Sequence, residues 1–131
     1  MMPSFTIAAA QPSSVKGDIV ANVQIHTDFV RIAAEHDVDV IVFPELSLTG
    51  YEPELAGDLI LAPEDKRLHR LHELSRRLDL TIIAGGPVES GLERPHIGAL
   101  IFSPGQSFIY AKKHLHGGEE MFFHPVIRRA C

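Results

Sequence analysis

The sequence has 131 residues, of which 45% are hydrophobic and 22% charged, and this balance suits one folded domain and argues against a disordered chain. A net charge of −5 gives no basic surface for nucleic acid and disfavours anionic membranes. No apolar stretch is long enough to span a membrane, no signal peptide is recognisable, and a single cysteine fits a reducing compartment. We therefore expect a cytoplasmic protein without nucleic-acid or membrane partners.

The first part of the sequence alternates strands with a helix. Residues 5–10 form a short apolar run, which predicts a buried strand. Asp18 is placed to cap a helix over residues 19–35, where apolar side chains recur with helical period on one side. Residues 38–43 are rich in β-branched side chains and end at Pro44, so they predict a second buried strand.

The remainder predicts one more helix and three more strands. Pro63 suits the first turn of an amphipathic helix that carries leucines at positions 68, 71, 74 and 78. A third strand over residues 81–84 is expected to stop at Gly85-Gly86-Pro87. Residues 99–102 and 108–110 predict two further strands that are joined by a turn.

The resulting order, β-α-β-α-β-β-β, predicts a layered α/β fold. Two helices can cover only one face of such a sheet, and the strands are apolar on both faces. The other face is therefore expected to be bare, which indicates either an incomplete domain or a chain that pairs with another subunit.

Four residues carry side chains that could take part in chemistry. Glu45 directly follows the second strand, at the sheet edge where α/β proteins place catalytic groups, and a partly desolvated carboxylate there is a usable base. Because the run before it is apolar, we expect Glu45 to be largely buried at the carboxyl end of this strand. Lys112 follows the last strand and can neutralise an oxyanion. Position alone, however, favours an ordinary loop carboxylate for Glu45 and a solvated basic loop for Lys112. The adjacent acids Glu119 and Glu120 follow two glycines and are, by themselves, typical of a surface turn.

Neither a metal site nor a cofactor is expected. The pair His114 and His116 lacks a third ligand at recognisable spacing. Gly85-Gly86-Pro87 lacks the lysine and the helix of a phosphate-binding loop.

Four stretches in order resemble the nitrilase, or carbon–nitrogen hydrolase, superfamily. They are the opening strand at residues 7–11, the strand-to-loop segment at residues 40–51, the tyrosine-x-lysine-x-histidine-leucine pattern at residues 110–115, and the acidic-aromatic-proline segment at residues 118–125. The segment VIVFPELSLTGY, which contains Glu45, is the most specific of the four. The resemblance covers residues 5 to about 125.

This resemblance implies part of a four-layer α-β-β-α sandwich and hydrolysis of a non-peptide carbon–nitrogen bond. The substrate would be a small amide, carbamoyl amide or nitrile, and the full-length form would be a homo-oligomer. Glu45 would be the general base, Lys112 the cation that stabilises the tetrahedral intermediate, and Glu119, with Glu120 as its rival, the second glutamate that holds the site. Because the motifs place Glu45 and Lys112 in one catalytic set, we expect the carboxylate and the amine to lie within salt-bridge or one-water distance. The family's nucleophile is a cysteine.

The sequence departs from the family pattern near its end. The family places its nucleophilic cysteine after a further strand, whereas residues 126–131 diverge from the pattern and contain only Cys131. We therefore expect residues 1–131 to be a truncated N-terminal portion of the domain that is inactive alone. The alternative is a catalytically dead half-domain that acts as a binding or interaction module.

Overall fold

A computed structural model describes residues 4–126, and Cys131 lies outside the described residues. The strands and helices are β1 (Ile7–Ala9), α1 (Ile19–Glu35), β2 (Val40–Val42), α2 (His69–Leu78), β3 (Thr81–Val88), β4 (His96–Phe102) and β5 (Ser107–Ala111). Short 3-10 helices span Pro53–Asp58, Lys66–Leu68 and Glu119–Met121. The predicted order of elements and the α/β class are confirmed.

The five strands form one sheet in the order β1-β2-β3-β4-β5. The strands β1, β2 and β3 are parallel, β4 is antiparallel to β3, and β5 is antiparallel to β4. Since two reversals restore the direction, β5 runs the same way as β2. The carboxyl ends of these two strands therefore lie at the same edge of the sheet.

Helix α1 begins and ends where the sequence predicts. The Asp18 carboxylate accepts a hydrogen bond from the Ala21 N–H at 3.0 Å, so it caps a free donor of the first turn. The buried side of the helix contains Ile19, Val23, Val30 and Ala33. It also buries three polar side chains that the apolar pattern did not reveal: Asn22, His26 and Thr27.

The predicted start of the second helix was wrong. Pro63 lies in a turn ahead of the helix, and the Asp65 carboxylate accepts a hydrogen bond from the Arg67 N–H at 2.9 Å, which starts a 3-10 turn that leads into α2. The reason is that an aspartate cap satisfies a free backbone donor, which proline cannot do from its side chain. No helix within residues 4–126 is long and apolar enough to cross a membrane.

The third strand does not stop at Gly85-Gly86-Pro87. Strand β3 continues through these residues to Val88, and all seven residues from Ile82 to Val88 pair with β4. A Cβ on Gly85 would lie 2.4 Å from the Leu46 nitrogen. Glycine at this position therefore lets the backbone that follows β2 pack directly against β3. The strand was expected to stop here because glycine was interpreted as a strand terminator.

The helices cover one face of the sheet and leave the other open. Both helices contribute to one hydrophobic core with alternate sheet residues, including Ile41, Ile82, Leu100 and Phe102. The opposite face carries Ile7, Phe108 and Tyr110, which are 61%, 47% and 57% exposed. Within the described residues this open face is apolar, as the sequence predicts.

Candidate active site

Glu45 lies in a turn that follows β2 and rests on β3. The Leu48 N–H donates to the Gly85 carbonyl at 2.8 Å, and the Gly85 N–H donates to the Ser47 hydroxyl at 3.0 Å. The turn is so close to the strand that a Cβ on Gly85 would also meet the Pro44 oxygen at 2.6 Å. The backbone that carries Glu45 is therefore fixed at the carboxyl edge of the sheet, as predicted.

The residue after Glu45 has a strained backbone. Leu46 has a φ of 57°, in the left-handed region that side chains rarely adopt. Its side chain is 1% exposed and packs with Ala56, Ile97 and Phe123 in a small second hydrophobic cluster. Burial of this side chain offsets the strain, which costs about 1–3 kcal/mol at such positions. The sharp turn directs Glu45 away from the core.

Lys112 connects the two predicted acidic residues. It follows β5 directly, and its backbone N–H donates to the Ile97 carbonyl at 2.8 Å. Its Nζ lies 3.0 Å from Oε2 of Glu45 and 3.1 Å from Oε1 of Glu119. The prediction that Glu45 and Lys112 lie within salt-bridge distance is therefore confirmed.

Glu119, and not Glu120, is the second acid at this position. Its side chain is 4% exposed, whereas Glu120 is exposed. Its Oε1 also accepts the His116 N–H at 2.6 Å, and its Oε2 accepts the Tyr51 hydroxyl at 2.5 Å. Tyr51 belongs to the same segment as Glu45, so this bond closes a network that runs from Glu45 through Lys112 and Glu119 to Tyr51.

The network sets the charge state of its members. Burial alone would raise the pKa of Glu119, but hydrogen bonds from Tyr51, the His116 N–H and Lys112 outweigh it and hold this pKa at about 2. The hydrogen bond to Glu119 raises the pKa of Tyr51 to about 12. Burial would lower the pKa of Lys112, but hydrogen bonds to Glu45 and Glu119 raise it. The site thus holds a carboxylate, an ammonium and a neutral phenol at pH 7.

A cleft of about 460 Å³ opens beside this network, at the end of the bare sheet face. It is lined by charged and apolar side chains together: Phe43, Glu45, Ile83, Ala99, Tyr110 and Lys112. An apolar wall with a few convergent polar groups is typical of sites for small organic molecules.

One expectation about the site was wrong, and one residue of the network was missed. Glu45 was expected to be largely buried, and this was wrong: its side chain is 40% exposed. The reason is that the turn directs it into the open cleft and away from the core. The sequence also did not reveal Tyr51, although this residue ends the most specific motif and was a visible candidate.

Comparison with known proteins gives one family and several structural relatives. The family model described as carbon-nitrogen hydrolase matches residues 6–128. A glutamine-dependent NAD(+) synthetase of Acinetobacter baylyi is 37% identical over 86 residues, which are 64% of this chain and 15% of the relative.

Two solved structures share the fold. The NitN amidase of the Nesterenkonia strain AN1 superposes with a TM-score of 0.80 and 26% identity, over 95% of this chain and 51% of the amidase. A variant of this amidase was solved in complex with butyramide. The Xanthomonas campestris protein XC1258, a CN-hydrolase superfamily member, has a TM-score of 0.82 at 20% identity over 99% of this chain and 49% of its own. The chain therefore spans about half the length of these solved relatives.

Proposed function

Because the chain belongs to the carbon-nitrogen hydrolase family, we propose that it provides the base and the cation of a site that hydrolyses a non-peptide carbon–nitrogen bond. The observation that carries this assignment is the position of Lys112 Nζ, 3.0 Å from Glu45 and 3.1 Å from Glu119. The relatives favour a small primary amide as substrate, since one is an amidase solved with butyramide and another is glutamine-dependent. Carbamoyl amides and nitriles share this chemistry.

The roles follow from proton and charge balance. A cysteine thiol attacks the amide carbon while the Glu45 carboxylate takes the thiol proton. Lys112 has three N–H donors, which face both carboxylate oxygens of Glu45, at 3.0 and 3.3 Å, and Oε1 of Glu119, at 3.1 Å. Once Glu45 has taken the thiol proton, the longer of its two hydrogen bonds is the weakest of the three, and that N–H can donate to the substrate oxygen as negative charge develops there. Glu45 gives its proton to the leaving nitrogen, so ammonia departs and a thioester remains. It then takes a proton from the water that attacks the thioester and returns it to the departing sulfur, which restores the thiol and the carboxylate.

We propose that Glu119 is a positioning residue in this reaction. It is buried and accepts a hydrogen bond from Lys112 at 3.1 Å, so the ammonium keeps a charged partner when Glu45 becomes neutral. Glu45 and Glu119 with Lys112 carry a total charge of −1, and uptake of the thiol proton brings it to zero. The Lys112 ammonium, still paired with Glu119, can then stabilise the developing oxyanion.

The nucleophile is proposed to come from a segment beyond this sequence rather than from Cys131, because the family pattern requires a further strand before the cysteine. The test is to supply the second half of a family member, fused or as a separate chain, and to measure ammonia release from butyramide and glutamine. Substitutions Glu45→Gln and Lys112→Ala should each lower turnover at least about 100-fold.

Exposed residues outside the cleft provide matched controls. Glu120→Gln and Lys66→Ala make the same changes of charge but leave the network intact, and they should retain activity. Wild-type turnover in Glu45→Gln or Lys112→Ala would refute the assigned roles. Activity of the 131-residue chain alone that disappears in Cys131→Ser would refute the proposed source of the nucleophile.

The open sheet face supports a second candidate, a catalytically inactive module that binds another protein. Three large side chains on this face, Ile7, Phe108 and Tyr110, are about half exposed or more. Light scattering at micromolar concentration would show self-association, and Phe108→Glu should reduce it. A monodisperse monomer would contradict self-association. If that monomer also released no ammonia, a binding module would need a different protein as its partner.

A further inference from the structure

A row of buried polar groups lies beneath the Glu45 turn and plays no part in the proposed chemistry. His26 of α1 is 0% exposed, and its ring stacks on Phe43 with 4.0 Å between centroids. Its Nδ1 lies 2.6 Å from the Asn22 carbonyl oxygen, and its Nε2 lies 2.8 Å from the Ser47 hydroxyl. The Ser47 hydroxyl also accepts the Gly85 N–H at 3.0 Å. The row thus joins α1, the turn and β3.

The partners determine where the protons lie. A carbonyl oxygen only accepts, so Nδ1 of His26 must carry the proton that it donates to Asn22. In the neutral ring Nε2 is then an acceptor, and the Ser47 O–H donates to it. Every group in the row has a partner in this arrangement, and only the neutral Nδ1–H tautomer provides it.

The row ends two residues from Glu45. Ser47 is 2% exposed, and its hydroxyl forms the side-chain link between the turn and His26. Its carbonyl also accepts a hydrogen bond from the Ser14 hydroxyl at 2.7 Å. A shift of Ser47 would move the backbone that presents Glu45 to Lys112. Displacements of about 1 Å in a catalytic group can reduce rates by about 100-fold.

We propose that His26 is a positioning residue for Glu45. Through Ser47, His26 holds the turn on β3, and it does so only as the neutral Nδ1–H tautomer. The structural part of this proposal concerns the turn alone. Its meaning for catalysis rests on the proposed function, in which Glu45 is the base.

Protonation would disrupt the row. A proton on Nε2 turns the acceptor into a donor, so the Ser47 O–H would lose its partner in a buried site. Within residues 4–126, no ionisable side chain of α1, the turn or β3 forms a hydrogen bond or ion pair with the ring. Burial lowers the pKa of His26 to about 4, although the hydrogen bond to Asn22 opposes this effect. The row is therefore intact at neutral pH and fails in acid.

The test uses NMR on the full 131-residue chain labelled with nitrogen-15. The ring resonances of His26 should show protonated Nδ1 and unprotonated Nε2 at pH 6.5. The protection factors of the Gly85 and Leu48 amides report the attachment of the turn. His26→Phe keeps a ring against Phe43 but removes both hydrogen bonds, and it should lower these protection factors about tenfold. His36→Gln, at the exposed end of the same helix, is the matched control and should change neither.

His26→Gln separates positioning from general loss of structure. Its amide oxygen can accept the Ser47 O–H without titrating, so protection should persist while the decline in protection between pH 6 and pH 4 disappears. If His26→Phe does not fold, the pH dependence of protection in His26→Gln tests the proposal by itself. A protonated Nε2 in the wild type, or an unchanged decline with pH in His26→Gln, would overturn the proposal. None of these measurements uses hydrolysis, so an active Glu45→Gln variant would refute the proposed function separately.

Discussion

Replacement of Glu119 by glutamine tests how strongly the network holds the site together. The substitution keeps the shape of the side chain but removes the charge that Lys112, Tyr51 and the His116 N–H contact. Glu119 is 4% exposed, so solvent cannot take the place of these partners. We expect the folded state to lose much of the stabilisation that the carboxylate receives there.

The size of the effect follows from the pKa of the carboxyl. It changes from an ordinary 4.5 to about 2 on folding, and each pKa unit corresponds to about 1.36 kcal/mol, which gives about 3 kcal/mol. The unfolded chain binds the proton more readily than the folded chain. The stabilisation is therefore fully present above pH 4.5 and is lost as the pH falls towards 2.

Urea unfolding of the wild type and of Glu119→Gln at a series of pH values measures this contribution. The difference in free energy of unfolding should be about 3 kcal/mol at pH 7 and should shrink as the pH falls below 4.5. Glu120→Gln removes an exposed charge from the neighbouring residue and should change stability by less than about 0.5 kcal/mol. A difference between wild type and Glu119→Gln that stays constant from pH 7 to pH 3 would refute the linkage to this carboxyl.

Three further predictions concern other parts of the structure. Gly85→Ala places a Cβ 2.4 Å from the Leu46 nitrogen and should cost about 1–3 kcal/mol in urea unfolding, whereas Gly105→Ala, with nothing within 4 Å, should not. In a Tyr110→Phe background, ultraviolet titration should show Tyr51 ionising near pH 12, and adding Glu119→Gln should return its pKa towards 10. An ionisation near 10 without that substitution would contradict the hydrogen bond to Glu119. Since the pKa of His26 falls from 6.5 to about 4 on folding, the free energy of unfolding should decrease by up to about 3 kcal/mol as the pH drops from 6.5 to 4. His26→Gln should remove this decrease, and an unchanged pH dependence in that variant would assign it to other groups.

Local patterns predicted the elements of this fold well. The helical period and the Asp18 cap fixed both ends of α1 because they depend on neighbouring residues only. The proximity of Glu45 and Lys112 was predicted from two family motifs 67 residues apart in the chain. Their strands run in one direction, and the sheet brings both carboxyl ends to one edge.

The remaining features depend on contacts between distant segments. Gly85 looked like a strand terminator because its close neighbour, the Pro44–Leu46 backbone, is about 40 residues away in sequence. His26 breaks the apolar pattern of α1, and only the structure supplies its partners, Ser47 and Phe43. The exposure of Glu45 follows from a left-handed Leu46, a conformation that a leucine does not suggest.

The described residues position the charges of the site without any contribution from a thiol. Glu45 and Tyr51 come from one segment and Lys112 and Glu119 from another, and the hydrogen bonds between them link both segments at one edge of the sheet. Groups that are already oriented need not reorganise when charge develops during a reaction, and the stabilisation that such groups provide is usually the largest single contribution to catalysis. Under the proposed function, a cysteine that enters the cleft beside Glu45 would therefore meet its base and its oxyanion donor already in place. The rate of the proposed reaction would then depend on how accurately that thiol is positioned.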